Sequence, residues 1–186
     1  MVKTAMLLAD GFEEIEALTV VDVLRRAGAI CDMTSLSGNT VKGCHGMEVT
    51  VDKTLDEIDD SYQMVILPGG LPGATNLRDD ERVISLVQKF DADNTKFVAA
   101  ICAAPMVFAK AGISKGRHVT SYPGFEDLFT DAFYENDIVV VDDKMITARG
   151  PATAMAFSYA IVDALGLNSN ELKDGMLYTM LLDQCK

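Results

Sequence analysis

Short unbroken apolar runs alternate along the chain with longer stretches of helical periodicity. Lys3 to Ala9 is apolar after its first two residues and stops at Asp10-Gly11, which predicts a buried strand and a tight corner. Glu13 to Ala27 has helical spacing and is closed by Gly28, the residue type favoured just past a helix end. Ile30 to Leu36 then predicts the second strand of a βαβ unit, parallel to the first. After the turn at Ser37 to Thr40, Met47, Val49 and Val51 alternate like a half-exposed hairpin or edge strand, and Asp52 to Ser61 reads as a short helix or loop. Met64 to Leu67 is a buried strand that runs into Pro68-Gly69-Gly70-Leu71-Pro72-Gly73, and Glu81 to Phe90 is a helix with Val83, Leu86, Val87 and Phe90 on one face.

Phe97 to Ile101 has no polar alternation, which suits a central strand covered on both faces. Ala103 to Ala111 reads as a helix starting at once, with Pro105 in its first turn and Gly112 at its end. Beyond Val119-Thr120, Tyr122 to Tyr134 is an irregular aromatic-rich loop. Strands are expected at Ile138 to Val141 and Met145 to Thr147, and helices at Pro151 to Leu165 and Glu171 to Leu182. Strands alternating with helices imply an α/β fold, a three-layer doubly wound sandwich with a mainly parallel sheet. With no repeats or linkers, residues 1–186 are expected to form a single domain. Ligands in such folds sit beyond the carboxyl ends of the strands. Asp10-Gly11, Pro68-Gly69-Gly70, Cys102 and Arg149-Gly150-Pro151 all follow predicted strands, so these four corners should gather on one sheet edge.

The remaining composition excludes more than it assigns. Hydrophobic residues make up 49% and charged residues 24%, the balance of a soluble globular domain. A formal charge of −12 without clustered cations makes nucleic acid a poor partner. The N-terminal apolar run ends at Asp10, far short of a membrane span, so a cytoplasmic, non-membrane protein is expected. Four scattered cysteines and two histidines, His45 and His118, contain no C-x-x-C pair, so neither a disulfide framework nor a metal site is expected.

Chemistry concentrates on Cys102. A strand, a one-residue corner and a helix is the geometry of a nucleophile elbow, here with Cys in place of Ser and alanines in place of glycines. A thiol at a helix N-terminus is biased toward thiolate, although most unpaired cysteines are merely buried. Neither histidine is adjacent to Cys102 in sequence. Glu13, Glu14 and Glu16 open the first helix, where dipole compensation accounts for two of the three. Glu16 shares a helical face with Val20, Val23 and Ala27 and is the one expected to point inward as a half-buried carboxyl with a raised pKa. The N–H groups of Gly69 and Gly70 are candidate oxyanion donors.

Ala9-Asp10-Gly11-Phe12-Glu13-Glu14-Ile15-Glu16, Leu67-Pro68-Gly69-Gly70, Ala99-Ala100-Ile101-Cys102-Ala103-Ala104-Pro105 and Arg149-Gly150-Pro151 closely resemble the ThiJ/PfpI superfamily, a class I glutamine-amidotransferase-like group, in its parkinsonism-associated protein-deglycase branch. The resemblance implies a flavodoxin-like fold, a homodimer and no cofactor. It implies that Cys102 is an oxidation-prone nucleophile, Glu16 its carboxyl partner, and Gly69, Gly70 and Ala103 the backbone of the oxyanion pocket. His45 and Arg149 are implied to line that pocket. Relatives often carry His before Pro where this chain reads Ser121-Tyr122-Pro123, so Tyr122 takes the place of a proton shuttle, and a phenol is a poor base at neutral pH. Relatives labelled proteases carry His directly after the cysteine, where Ala103 stands here, which disfavours peptidase activity.

The implied activity is that of a glyoxalase III or deglycase acting on small α-oxoaldehydes or their adducts. The non-catalytic alternative is a redox sensor or stress-response chaperone using the same thiol. A blander one is a fold relative whose pocket has drifted.

Overall fold

Unbroken apolar strands need cover on both faces, and the fold supplies it. The structure, a computed structural model, describes residues 1–185. Lys186, the last residue of the expected domain, lies outside them. Strand β1 (Lys3–Leu8) leads through α1 (Glu14–Arg26) to β2 (Ile30–Ser35). A hairpin of β3 (Thr40–Lys42) and β4 (Glu48–Thr50) follows, then β5 (Lys53–Thr54), β6 (Met64–Leu67), α2 (Gly73–Asp79), α3 (Glu81–Ala92), β7 (Phe97–Ile101) and α4 (Pro105–Ala111). The rest comprises β8 (His118–Val119), β9 (Phe133–Tyr134), β10 (Val139–Asp142), β11 (Met145–Ala148), α5 (Ala154–Ala164), α6 (Ser169–Gly175) and α7 (Tyr178–Gln184).

The main sheet has the order β10-β11-β7-β6-β1-β2-β5, and every pairing in it is parallel except β10 with β11. Side-chain alternation splits the core in two. Ala5, Leu7, Val65, Leu67, Val98 and Ala100 face α2, α3 and α4, while Met6, Leu8, Met64, Ile66, Ala99 and Ile101 face α1 and α5. This is the three-layer α/β sandwich expected. The parallel strands β2-β1-β6-β7-β11 follow the flavodoxin-like order, which reverses direction between β1 and β6. The corners after β1, β6, β7 and β11 therefore lie at one edge, around the switch point.

The departures from the expected elements have local causes. Lys53–Thr54 joins the sheet beside β2, and the turn Leu55–Glu57 after it is capped by Thr54, whose N–H donates to Glu57 Oε2 at 2.8 Å. Helix α2 buries only Gly73, Ala74 and Leu77, too narrow an apolar stripe to register as a period. Phe133–Tyr134, expected to be irregular, pairs with His118–Val119 in a small separate sheet. The helix expected over Glu171 to Leu182 is two, because Leu177 adopts a left-handed conformation (φ 61°) and breaks the hydrogen-bond run. Among the described residues no helix is long and apolar enough to cross a membrane.

Candidate active site

β7 ends on a strained corner. Cys102 has φ 64°, a left-handed conformation costing of order 1–3 kcal/mol for a residue with a side chain. Neighbouring backbone holds it there: the Cys102 N–H donates to the Ala148 carbonyl at 2.9 Å, and the Cys102 carbonyl accepts from the Tyr122 N–H at 2.8 Å. The helix starts not at Ala103 but at Pro105, whose missing N–H is harmless in the first turn. Ala103 and Ala104 form the intervening turn. Cys102 stays half-buried, touching both core layers.

Glu16 comes to this corner from α1, pointing inward as its helical face predicts, and is fully buried where a half-buried carboxyl was expected. The Gly69 N–H donates to its Oε2 at 2.7 Å. No partner reaches Oε1 among the described residues. Side chains at this junction would not fit. A Cβ on Gly69 would stand 2.6 Å from both Glu16 Oε2 and Cys102 Cβ, and one on Gly70, whose φ is 85°, would strike the backbone of Gly11 to Glu13. The two glycines thus let the carboxyl, the thiol and main chain meet at the switch point.

Burial pushes Glu16 up to about 7, against the hydrogen bonds from the Cys102 thiol and the Gly69 N–H, and the Glu13 charge adds to the rise. Burial also raises the Cys102 thiol, followed by the charge and hydrogen bonding of Glu16, while the N–H groups of Ala103 and Gly70 pull it down without prevailing. The thiolate favoured by a helix N-terminus, expected from sequence, is therefore not the resting form beside an ionised Glu16. α4 begins three residues downstream, and burial and the neighbouring carboxylate outweigh it. When Glu16 is protonated the repulsion disappears and its O–H can donate to sulfur, so the two groups titrate as one coupled pair.

The remaining expected residues divide. Gly70 and Ala103 have their N–H groups at the sulfur, whereas the Gly69 N–H is already taken by Glu16 and is not a free oxyanion donor. Tyr122 contributes backbone to the corner, but its side chain is 47% exposed and its ring lies over Gly150. Arg149 is half-buried and donates from Nη1 to Asn136 Oδ1 at 3.0 Å.

His45 sits on the hairpin loop against the start of α1 instead. Its Nδ1 lies 3.0 Å from Glu14 Oε2, and its ring is 66% exposed. Although burial acts to raise the Glu14 carboxyl, hydrogen bonds from the His45 ring and from backbone N–H groups hold it at about 2. Glu13, Glu14 and Cys44 gather around the imidazole, so the two glutamates anchor the hairpin and do more than compensate a helix dipole. The sequence signal for this cluster was Cys44-His45 directly after Gly43, in a loop that has to fold back on Phe12.

Comparison with known proteins gives a consistent picture. A model of the DJ-1/PfpI family matches residues 2–164. Protein DJ-1 homolog B of Arabidopsis thaliana is 38% identical over 167 residues, which cover 88% of this chain but only 38% of that protein. The chain thus spans less than half the length of that relative. A deglycase of Pyrococcus horikoshii is 32% identical, with 88% of this chain and 99% of that protein covered. The crystal structure of Drosophila melanogaster DJ-1beta superposes with a TM-score of 0.90 at 35% identity, over 95% of this chain and 97% of that one. On motif, length of match and fold, the chain belongs to the DJ-1/PfpI family.

Proposed function

We propose that the protein is a cofactor-independent cysteine enzyme of the glyoxalase III or deglycase type, acting on small α-oxoaldehydes or their adducts. The observation that carries this reading is the buried Glu16 carboxyl, clamped by Gly69 and raised to about 7, beside the strained Cys102 corner. A carboxyl that gains and loses its proton near neutrality suits an acid–base partner. The likeness to a named deglycase supports the same chemistry.

In this mechanism the Cys102 sulfur adds to the aldehyde carbon of methylglyoxal as Glu16 takes up the thiol proton. The oxyanion formed faces the N–H groups of Gly70 and Ala103 and is protonated to a hemithioacetal. Glu16 then moves the proton on that carbon to the neighbouring ketone carbon, through an enediol, leaving a thioester of lactic acid. Water cleaves the thioester, releasing lactate and restoring the thiol. Tyr122 is assigned no step, since its ring is about half exposed and lies over Gly150. Lactate formation from methylglyoxal tests the reading. Loss in Cys102→Ser, and a fall of about 100-fold or more in Glu16→Gln, are expected, and a Cys102→Ser variant as active as the parent would falsify it.

A second reading uses the same thiol as a peroxide sensor. It is favoured by the two N–H groups at the half-buried sulfur, which suit the oxygens of a sulfinate. Mass spectrometry after mild peroxide checks it: Cys102 should gain oxygen before Cys31, Cys44 or Cys185. We also propose a homodimer, supported by exposed Ile15 on α1 and Met47 on the hairpin, with sedimentation as the measurement.

A further inference from the structure

Beside the corner that holds Cys102, the start of α1 and the hairpin loop bring together four other side chains of metal-binding type. Glu13, Glu14, Cys44 and His45 each offer a ligand atom, and all four atoms lie within 4.8 Å of one another. We propose that these four residues form a binding site for a divalent transition-metal ion of the zinc type, with ligands that do not include Cys102.

The geometry carries the proposal. The Cys44 sulfur lies 3.2 Å from Glu13 Oε2, 3.5 Å from Glu14 Oε2 and 3.2 Å from His45 Nδ1. His45 Nδ1 lies 3.0 Å from Glu14 Oε2 and 3.5 Å from Glu13 Oε2. Ordinary zinc–sulfur, zinc–nitrogen and zinc–oxygen distances at tetrahedral angles place neighbouring ligand atoms about 3.4–3.6 Å apart. Five edges of the observed tetrahedron therefore match within a few tenths of an ångström, and small outward movements of exposed Cys44 and His45 would open room for the ion. A thiolate, an imidazole and two carboxylates are a mixed donor set that suits zinc better than calcium or magnesium.

The cluster is also supported from outside, as a metal site requires. The His45 and Met47 N–H groups donate to Glu14 Oε1 at 2.9 and 3.4 Å, which leaves Oε2 turned toward the sulfur and the imidazole. The Cys44 N–H donates to the Phe12 carbonyl at 2.8 Å, and the Gly43 N–H to the Met47 carbonyl at 2.7 Å, which fixes the loop against α1. Any side chain at Gly43 would collide with the Glu14 carboxyl. Two buried carboxylates face one exposed imidazole, so the site has negative charge to spare for a cation, while exposed Cys44 and His45 leave an entry path. On binding, the Cys44 thiol gives its proton to solvent and the sulfur bonds the metal, with no change of oxidation state.

Cobalt(II) and zinc titrations of the metal-free full chain test the proposal, carried out in a Cys102→Ser, Cys185→Ser background so that Cys44 is the only accessible thiol. One cobalt per chain is expected, with thiolate-to-metal charge-transfer absorption, tetrahedral d–d bands, and displacement by zinc. Cys44→Ser should abolish the charge-transfer band. His45→Ala, a change at an exposed ring whose effect on the fold is checked by circular dichroism, should weaken zinc binding by at least about 10–100-fold. A missing charge-transfer band in the background chain, or zinc affinity unchanged in both variants, overturns the proposal and leaves the cluster as a hydrogen-bonded anchor for the hairpin.

Discussion

Gly69 gives its backbone N–H to Glu16 Oε2 at 2.7 Å, so the second residue past β6 holds the carboxyl that faces the thiol after β7. The clamp depends on glycine, because a Cβ there would lie 2.6 Å from that same oxygen and 3.0 Å from the Cys102 sulfur. Gly69→Ala must push apart two groups that are packed into the core. It is expected to cost about 1–3 kcal/mol of stability and to lower methylglyoxal turnover at the same time. Denaturant unfolding and lactate assays read the two effects; full stability together with full activity would contradict the packing described.

Glu16 also leaves a signature in the dependence of stability on pH. Its carboxyl is raised from 4.5 to about 7, so across that window the folded chain keeps a proton that the unfolded chain has lost. Stability from this group is therefore complete below the unfolded value and falls as pH climbs through 7, by about 3 kcal/mol in all. Glu16→Gln removes the effect. The stability of the variant relative to the parent should rise by about that amount between pH 4.5 and 8, measured by urea unfolding with chelator present. A constant difference would mean that Glu16 titrates normally.

Coupling between the thiol and the carboxyl predicts an unusual alkylation profile. Loss of the first proton from the pair creates a single shared negative charge, and the sulfur carries a fixed fraction of it until the second proton leaves. The rate of Cys102 alkylation by iodoacetamide should accordingly rise near pH 7, level off, and rise again at alkaline pH. Glu16→Gln should show one rise only. Identical profiles in the two proteins would remove the coupling.

Cys31 should be silent. It is 1% exposed in β2, and burial pushes its thiol up to about 12 despite the opposing hydrogen bond from Thr4 and charge of Arg25. Iodoacetamide should label it only under denaturing conditions, as peptide mass spectrometry would show. Native labelling comparable to that of exposed Cys185 would mean that β2 opens readily.

Much of this protein was determined by local pattern. Ala5 to Leu8, Met64–Leu67 and Phe97–Ile101 are unbroken apolar runs, and only a sheet covered on both faces buries consecutive residues of such a run. Their alternation with amphipathic helices dictates parallel strands, and parallel strands bring their carboxyl-end corners to one edge. Glu16 was legible because Val20 and Val23 share its inward face, and Cys102 because a buried run ends on it. Tertiary structure decided what these groups meet. That the Gly69 N–H is spent on Glu16, that burial and a neighbouring carboxylate outweigh a helix end at Cys102, and that His45 joins Glu13, Glu14 and Cys44 all depend on residues about thirty to ninety positions apart. Periodicity records which face of an element is buried. It carries no record of what lies across the interface, and hydrogen bonds and pKa values are set by that neighbour.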